Sequence, residues 1–209
     1  MAEFETLKIE TIEQLRELYH TPSERALRKQ LRELDVHCQQ FIALSPFMIL
    51  ASSGKGGADA TLRGGERGFV KVGNAQTLLV PDWPGNNRLD SLTNIVENPA
   101  VGLLFLIPGV DETLRVGGAA QIRTDGSLLE PFRTDGKLPL TVLVVHVERA
   151  YLHCAKAPMR SGLWDKDARL DRAAMPTADE MLRDQLGAGA EGTLESQTAM
   201  ERRYQKSLY

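Results

Sequence analysis

The sequence is poor in cysteine, in net charge and in long apolar runs. Of its 209 residues only Cys38 and Cys154 are cysteines, too few and too far apart for a disulfide framework. The apolar runs Val101–Ile107 and Leu140–Val145 are far shorter than the ~20 residues of a membrane-spanning helix. The net charge of −3 provides no basic surface for nucleic acid. A secreted disulfide scaffold is therefore excluded, and neither a membrane segment nor a nucleic-acid partner is predicted.

The sequence also lacks the common signatures of secretion, of a metal site and of a hydrolase. Its first twenty residues contain five glutamates and no basic start followed by an apolar run, so a secretory signal is not expected. The scarcity of cysteine fits the reducing cytoplasm, which is the expected location. The pairs His37-Cys38 and His153-Cys154 suggest metal ligands, but adjacent residues on a strand point to opposite faces, so no metal is predicted. No Ser-His-Asp or Cys-His-Asn arrangement is legible.

What is present divides the chain into three parts within a single domain. Residues 1–45 contain apolar stripes behind two expected capping boxes, Thr11 with Gln14 and Thr21 with Glu24, and are predicted to form helices that pack on a barrel. Residues 46–165 form the core. Residues 166–209 are predicted to be a helical extension, with one helix that begins at a third capping box, Thr177 with Glu180, and a polar helix from Glu191 to the end.

The middle part consists of short apolar runs separated by Gly, Pro, Asn and Asp. Such spacing predicts an antiparallel barrel or sandwich rather than a parallel sheet, and therefore a mainly β fold with peripheral helices. The seven predicted strands are Phe47–Ala51, Ala58–Leu62, Phe69–Val72, Thr77–Val80, Val101–Ile107, Thr113–Ile122 and Leu140–His153.

The stretch PDWPGNNRLDSL, from Pro81 onward, predicts a turn that enters a helix and binds an anion. Pro84 and Gly85 bend the chain, and Asn86 or Asn87 is expected to cap the helix. The N–H groups and dipole of a helix start favour phosphate, and Arg88 adds a two-pronged donor. The alternative is a capped surface helix with a solvated arginine.

Read with its neighbours, this stretch resembles the FMN-binding proteins related to pyridoxamine 5'-phosphate oxidase. The likeness covers roughly residues 11–164. It is carried by SPFMILASS, ADATLRGGERGFVKV, TLLVPDWPGNNR, ENP, VGLLFLIPG, ETLRVGGAAQI and HCAKAPMRSGLWD. The resemblance implies a split β-barrel of antiparallel Greek-key strands, with FMN held at the interface of a homodimer.

The resemblance also implies roles for individual residues. For the phosphate, it implies Asn87 and Arg88, helped by Asn86 and Ser91. For the isoalloxazine and the ribityl chain, it implies Thr61, Leu62 and Arg63 beside the ring, Pro81 and Asp82 beneath the ribityl, and Thr113 and Arg115 on a neighbouring strand. From the second subunit, it implies Lys156, Arg160, Ser161 and Trp164.

The basic and aromatic residues of the last group have two interpretations. Lys156 and Arg160 are four residues apart on an expected short helix, where they would stabilise the negative charge of reduced FMN or form a solvated basic face. Trp164 would cover a ring or pack as a core or interface aromatic. These alternatives stay open at this point.

The sequence departs from the true oxidases at two places. Asn-Asn-Arg stands where the oxidases have Ser-Arg-Lys, and no histidine follows His153, which argues against pyridoxamine phosphate oxidation. The resemblance implies an FMN-dependent oxidoreductase acting on an unidentified small molecule. A flavin-binding sensor, carrier or store, and a split barrel that binds haem or a deazaflavin, are the alternatives.

Overall fold

The computed structural model describes residues 8–187 and 195–206 of the chain. In chain order the helices are α1 (Ile12–Leu18), α2 (Glu24–Arg28), α3 (Val36–Leu44), α4 (Asp90–Glu97), α5 (Gly126–Leu129), α6 (Lys156–Ser161), α7 (Ala178–Leu186) and α8 (Gln197–Gln205). The strands are β1 (Phe47–Gly54), β2 (Gly57–Gly64), β3 (Lys71–Asn74), β4 (Thr77–Asp82), β5 (Ala100–Ile107), β6 (Val110–Arg123) and β7 (Thr141–His153).

The seven strands form one antiparallel sheet in the order β2-β1-β5-β6-β7-β4-β3. Strands β5 and β6 form a hairpin, and β7 pairs with β6 after a longer connection that contains α5. Strand β4 lies beside β7 and reaches β5 through α4. This is a Greek-key arrangement. Each predicted strand has a counterpart, although the third begins at Lys71 because Gly68 has a φ of 75° and the chain is still turning there.

The sheet curls so that its two ends approach each other. In the sheet order, four strands (β1, β5, β6 and β7) separate β2, which carries Arg63, from β4, which carries Asp82. Nevertheless, Arg63 Nη1 lies 2.7 Å from Asp82 Oδ1. In the described residues, β2 does not pair with β3 or β4, so the two ends of the sheet meet without strand pairing at a junction here called the seam. The Arg63–Asp82 ion pair bridges the seam. The predicted split barrel with peripheral helices is confirmed.

The core lies on the inner face of this curled sheet. Met48, Leu50, Leu78, Phe105 and Leu114 are fully buried there. Helix α3 packs on the core through Cys38 and Ile42, and α4 packs through Ile95. Burying this apolar surface, at about 25 cal/mol per Å², is the main stabilising contribution to the fold.

Two of the predicted capping boxes form and one does not. Thr11 with Gln14 and Thr177 with Glu180 make both reciprocal hydrogen bonds of a capping box. The expected cap at Thr21 is wrong. The chain enters α2 two residues later, where Ser23 Oγ accepts a hydrogen bond of 3.2 Å from the N–H of Ala26.

The terminal segments contribute little to the core. Helices α1 and α2 bury none of their residues, and Ile12 and Leu27 of their apolar stripes are 71% and 61% exposed. Of the polar helix predicted from Glu191, α8 is its described part, while residues 191–194 and 207–209 lie outside the described residues. The site is therefore built by the sheet, α4 and α6.

Candidate functional site

The connection from β4 to α4 encloses a cavity of about 300 Å³, here called the loop cavity. Residues 61–63, 82–92 and Leu140 line it. The structure thus brings together eight residues predicted to hold a cofactor, namely Thr61, Leu62, Arg63, Asp82, Asn86, Asn87, Arg88 and Ser91. They meet because the curl of the sheet sets the edge strand β2 beside the end of β4.

The backbone of this loop has an unusual conformation. Asn87 and Leu89 both have a φ of 60°, in the left-handed region that residues with a Cβ rarely adopt. Leu89 is the N-cap of α4 and no side chain caps the helix. The prediction that Asn86 or Asn87 caps this helix is therefore wrong, because the left-handed turn at Leu89 carries both asparagines away from the cap position. Within residues 8–187 and 195–206, the start of α4 therefore has no capping side chain for its first N–H groups.

Arg88 stands at the mouth of the loop cavity with 73% of its side chain exposed. Its Nε donates a hydrogen bond of 2.8 Å to Asp90 Oδ2, and this bond raises the pKa of the guanidinium. Asn86 Oδ1 accepts from the N–H of Arg88 at 3.1 Å and holds the turn. Any anion that uses Arg88 must therefore share it with Asp90.

A chain of hydrogen bonds ties β2 to the start of α4. Thr61 Oγ1 and Ser91 Oγ lie 2.8 Å apart, and Ser91 Oγ donates to Asp59 Oδ2 at 3.1 Å. Because the Ser91 proton goes to Asp59, Thr61 is the donor to Ser91. These bonds fix the position of α4 against the edge strand.

The seam ion pair lies at the other end of the loop cavity. Burial raises the pKa of the Asp82 carboxyl, and the charge and hydrogen bond of Arg63 oppose that rise. Arg63 Nε is buried, and within the described residues it has no hydrogen-bond partner. The ion pair thus holds the guanidinium in place, and its Nε–H remains available as a hydrogen-bond donor.

A second cavity, of about 670 Å³ and here called the face cavity, lies between the outer face of the sheet and α6. Three more predicted cofactor residues line it, Thr113, Arg115 and Ser161. Ile49, Leu104 and Leu106 give it an apolar wall. Within one chain, the residues predicted to contact the cofactor are therefore divided between two cavities.

The remaining predicted residues line neither cavity. Pro81 is buried and faces a separate cavity beside Phe132. Lys156 and Arg160 are exposed on α6. Trp164 Nε1 donates a hydrogen bond of 2.9 Å to the carbonyl of Val110, so its ring packs at the start of β6. For these four residues, contact with a cofactor stays a prediction.

Sequence reasoning missed several residues that the structure places at the two cavities. Trp83 and Leu140 join the loop cavity, and Arg149, Tyr151 and His153 join the face cavity. Trp83 stands inside the quoted turn and could have been noticed there. The last three alternate along β7, but their orientation depends on a bulge that the sequence does not reveal.

Two further observations concern metals and membranes. Among residues 8–187 and 195–206, no three His, Cys, Asp or Glu side chains come close enough to hold a metal ion. In the same part of the chain, every helix is too short or too polar to cross a lipid bilayer.

A comparison with protein families finds a match over the sheet. A family model described as pyridoxamine 5'-phosphate oxidase matches residues 34–154, more than half of the chain. A comparison with curated proteins finds no match.

Three of the similar solved structures come from bacteria. HupZ of Group A Streptococcus is 18% identical over 56% of this chain and 92% of its own, with a TM-score of 0.46. General Stress Protein 26 of Bacillus anthracis is 17% identical over 56% of this chain and 94% of its own, with a TM-score of 0.42. The FAD binding protein of Mycobacterium smegmatis is 12% identical over 58% of this chain and 95% of its own, with a TM-score of 0.39.

Proposed function

This chain belongs to the pyridoxamine 5'-phosphate oxidase family, and from that premise we propose that it is an FMN-dependent oxidoreductase whose phosphate site is the loop cavity. One observation carries the proposal. In a chain of this family, the uncapped start of α4 opens on a cavity that has Arg88 at its mouth. Free N–H groups, the positive end of a helix dipole and a guanidinium are the donors that a phosphate monoester needs.

The residues of the loop cavity fit a flavin phosphate in two further respects. The left-handed conformation costs Leu89 about 1–2 kcal/mol, and costs Asn87 less because asparagine adopts it more readily. Such strain is typical of ligand-binding turns. The spare donor on Arg63 Nε gives a polar group of the ligand a partner at the inner end of the cavity.

We further propose that the site is completed in a homodimer. Thr113, Arg115 and Ser161 line the face cavity, whereas Arg88 and its neighbours line the loop cavity of the same chain. In a two-fold dimer, the face cavity of one subunit can lie against the loop cavity of the other. Two-fold symmetry then forms this contact twice, because each contact between two different parts of the chain is matched by the reverse contact.

In this proposal the protein binds and orients, while the cofactor supplies the redox chemistry. Bound FMN supplies a two-electron acceptor and donor of hydride. Arg88 and the start of α4 hold the phosphate, and Asn86 keeps the turn in shape through its bond to the N–H of Arg88. Arg63, whose Nε has no partner in the described residues, provides a cation beside the ring.

The first test is to identify and titrate the cofactor. Protein as purified is expected to release FMN, identified by mass spectrometry, at one per chain. Arg88→Ala is expected to weaken FMN binding about 10- to 100-fold in calorimetry, because a charge-assisted hydrogen bond contributes about 1.5–3 kcal/mol.

Asp90→Asn is the matched variant. It removes the carboxylate that competes for Arg88, so its affinity for FMN is expected to equal or exceed that of the parent. Failure of the purified protein to bind FMN refutes the proposed cofactor. An Arg88→Ala variant with unchanged affinity refutes the proposed phosphate site. Turnover of reduced nicotinamide with an electron acceptor then separates an oxidoreductase from a flavin carrier.

A further inference from the structure

The face cavity lies on a surface built by neighbouring strands in register. One row of paired residues crosses the sheet as Ile49, Leu104, Arg115 and Tyr151, from β1 through β5 and β6 to β7. Because directly paired residues on antiparallel strands point to the same face, this row places an apolar half next to a cationic half. The face cavity therefore has an apolar side and a cationic side.

The next row supplies the floor and a second cation. It consists of Ala51, Gly102, Gly117 and Arg149, so three small residues precede a long one. A Cβ added to Gly117 would lie 2.5 Å from Arg149 Nε and 2.7 Å from Arg149 Cζ. Glycine at this position thus leaves the space in which the Arg149 guanidinium lies against the sheet.

The two arginines are close and have no acidic partner. Arg115 is paired with Tyr151, and Arg149 is two residues before Tyr151, so the two are diagonal neighbours at roughly 7–8 Å. In the part of the chain that the structure describes, no Asp or Glu lines the face cavity, and no ion pair includes either arginine. Like charges at this spacing repel each other unless an anion lies with them.

Tyr151 and His153 are two further polar side chains that line the face cavity. Arg115 Cζ lies 5.4 Å and Lys29 Nζ 5.3 Å from the centre of the Tyr151 ring, so both cations contact one aromatic face or edge. His153 Nδ1 is buried and has no hydrogen-bond partner in the described residues. A cavity of about 670 Å³ is within the usual range for a small organic ligand.

We propose that the face cavity binds a small organic acid with an apolar body, its carboxylate held by Arg115 and Arg149, and that this class of compound is the substrate. The status of substrate rests on the proposed function, whereas the binding of the acid does not. Two guanidinium groups next to an apolar wall favour a carboxylate attached to a hydrocarbon or aromatic body over a neutral or cationic compound.

The experiment uses naphthoate as the probe and naphthalenemethanol as its neutral counterpart. Both are titrated by calorimetry into the purified full-length protein loaded with FMN, and flavin release is followed by absorbance. Naphthoate is expected to bind at least about tenfold more tightly than the alcohol. Arg149→Gln and Arg115→Gln are each expected to remove most of that preference and to leave alcohol binding unchanged.

Arg123→Gln is the control, because Arg123 lies on β6 outside the face cavity and pairs with Asp125. It should keep the full preference for naphthoate. Equal affinity for acid and alcohol overturns the inference, as does a preference that survives both cavity substitutions. Release of FMN in proportion to bound naphthoate also overturns it, since the cavity would then hold the flavin itself. A protein that binds naphthoate but no FMN refutes the proposed function instead.

Discussion

The Asp82 carboxylate is a buried charge that joins the two ends of the curled sheet. Only 8% of the residue is exposed, and Arg63 provides its one ion pair in the described residues. Burial raises the pKa of the Asp82 carboxyl even though Arg63 opposes that rise. The charged form is therefore retained at a cost in stability. Its evident role is to fix the Arg63 guanidinium beside the loop cavity.

Asp82→Asn should change how stability depends on pH. A carboxyl whose pKa is raised on folding stabilises the protein fully below its unfolded pKa of about 3.9, and this contribution is lost as pH rises through the folded pKa. The free energy of unfolding of the parent minus that of Asp82→Asn is thus expected to fall as pH rises from about 3 to about 8. Urea titrations across this range measure it.

Asp125→Asn is a control for which the opposite pH dependence of stability is expected. The hydrogen bond from Arg123 lowers the pKa of the Asp125 carboxyl, so its contribution is present above the unfolded pKa and lost as pH falls through the folded pKa. The corresponding difference in unfolding free energy should rise with pH. If the Asp82 difference also rises, or stays flat, the account of Asp82 is wrong.

At the level of secondary structure, a bulge between β6 and β7 determines which side chains reach the face cavity. Gly117 pairs with Arg149 but Gly118 pairs with Val147, so Glu148 is an extra residue on β7. Before the bulge Val145 and Val147 point into the core, and after it Ala150 does. The insertion thereby turns Arg149, Tyr151 and His153 outward.

Gly118→Ala should disturb this bulge. A Cβ at Gly118 would overlap the carbonyl oxygen and carbon of His146, which are backbone atoms that cannot move aside cheaply. We expect a loss of about 2 kcal/mol or more in the free energy of unfolding, measured by urea denaturation. Gly126→Ala is the control, since no atom lies within 4 Å of its added Cβ, and it should stay within about 0.5 kcal/mol of the parent. A Gly118→Ala variant as stable as the control would contradict the assigned register.

The same bulge shows how far the sequence could predict this fold. All seven strands could be located from the pattern of apolar residues and from the turn residues between them, because both are local properties of the chain. Which residues of β7 face outward depends on one inserted residue and its partner on β6, which local patterns do not record. Likewise, Asn86-Asn87 resembles a cap, but the left-handed turn at Leu89 is set by how α4 docks on β2. The turn after Pro81 could be located from the sequence, whereas its atomic arrangement could not, and its binding of an anion stays a prediction.

For the whole molecule, the division of the predicted cofactor residues between two cavities is the main argument for a dimer. The outer face of the sheet carries Ile49, Leu104 and Leu106 as half-buried apolar side chains, and Leu62 next to them is 67% exposed. Helix α4 covers the inner face, where Asn94 bonds to Ser52, whereas the loop cavity reaches the outer face at Leu62, which lines it. An apolar face that also carries half of a proposed site is better explained by a subunit contact than by exposure to water.

The proposed dimer leads to a prediction for a single charge on that face. The parent is expected to sediment at twice the 23.1 kDa mass of the chain, and Ala51→Glu to sediment as a monomer that no longer retains FMN. The Arg149 guanidinium lies over Gly117 on β6, two strands from Ala51 on β1, so a carboxylate at position 51 has no cation in direct contact. Burying such a carboxylate in the subunit contact costs several kcal/mol, enough to dissociate a typical dimer at micromolar concentration. Val96→Glu is the matched control, because Val96 is 77% exposed on α4 and lies on the other side of the sheet. It should remain dimeric with FMN bound. A parent that sediments as a monomer and still retains FMN would contradict the proposed dimer. It would show that one chain holds the cofactor without the face cavity of a second subunit.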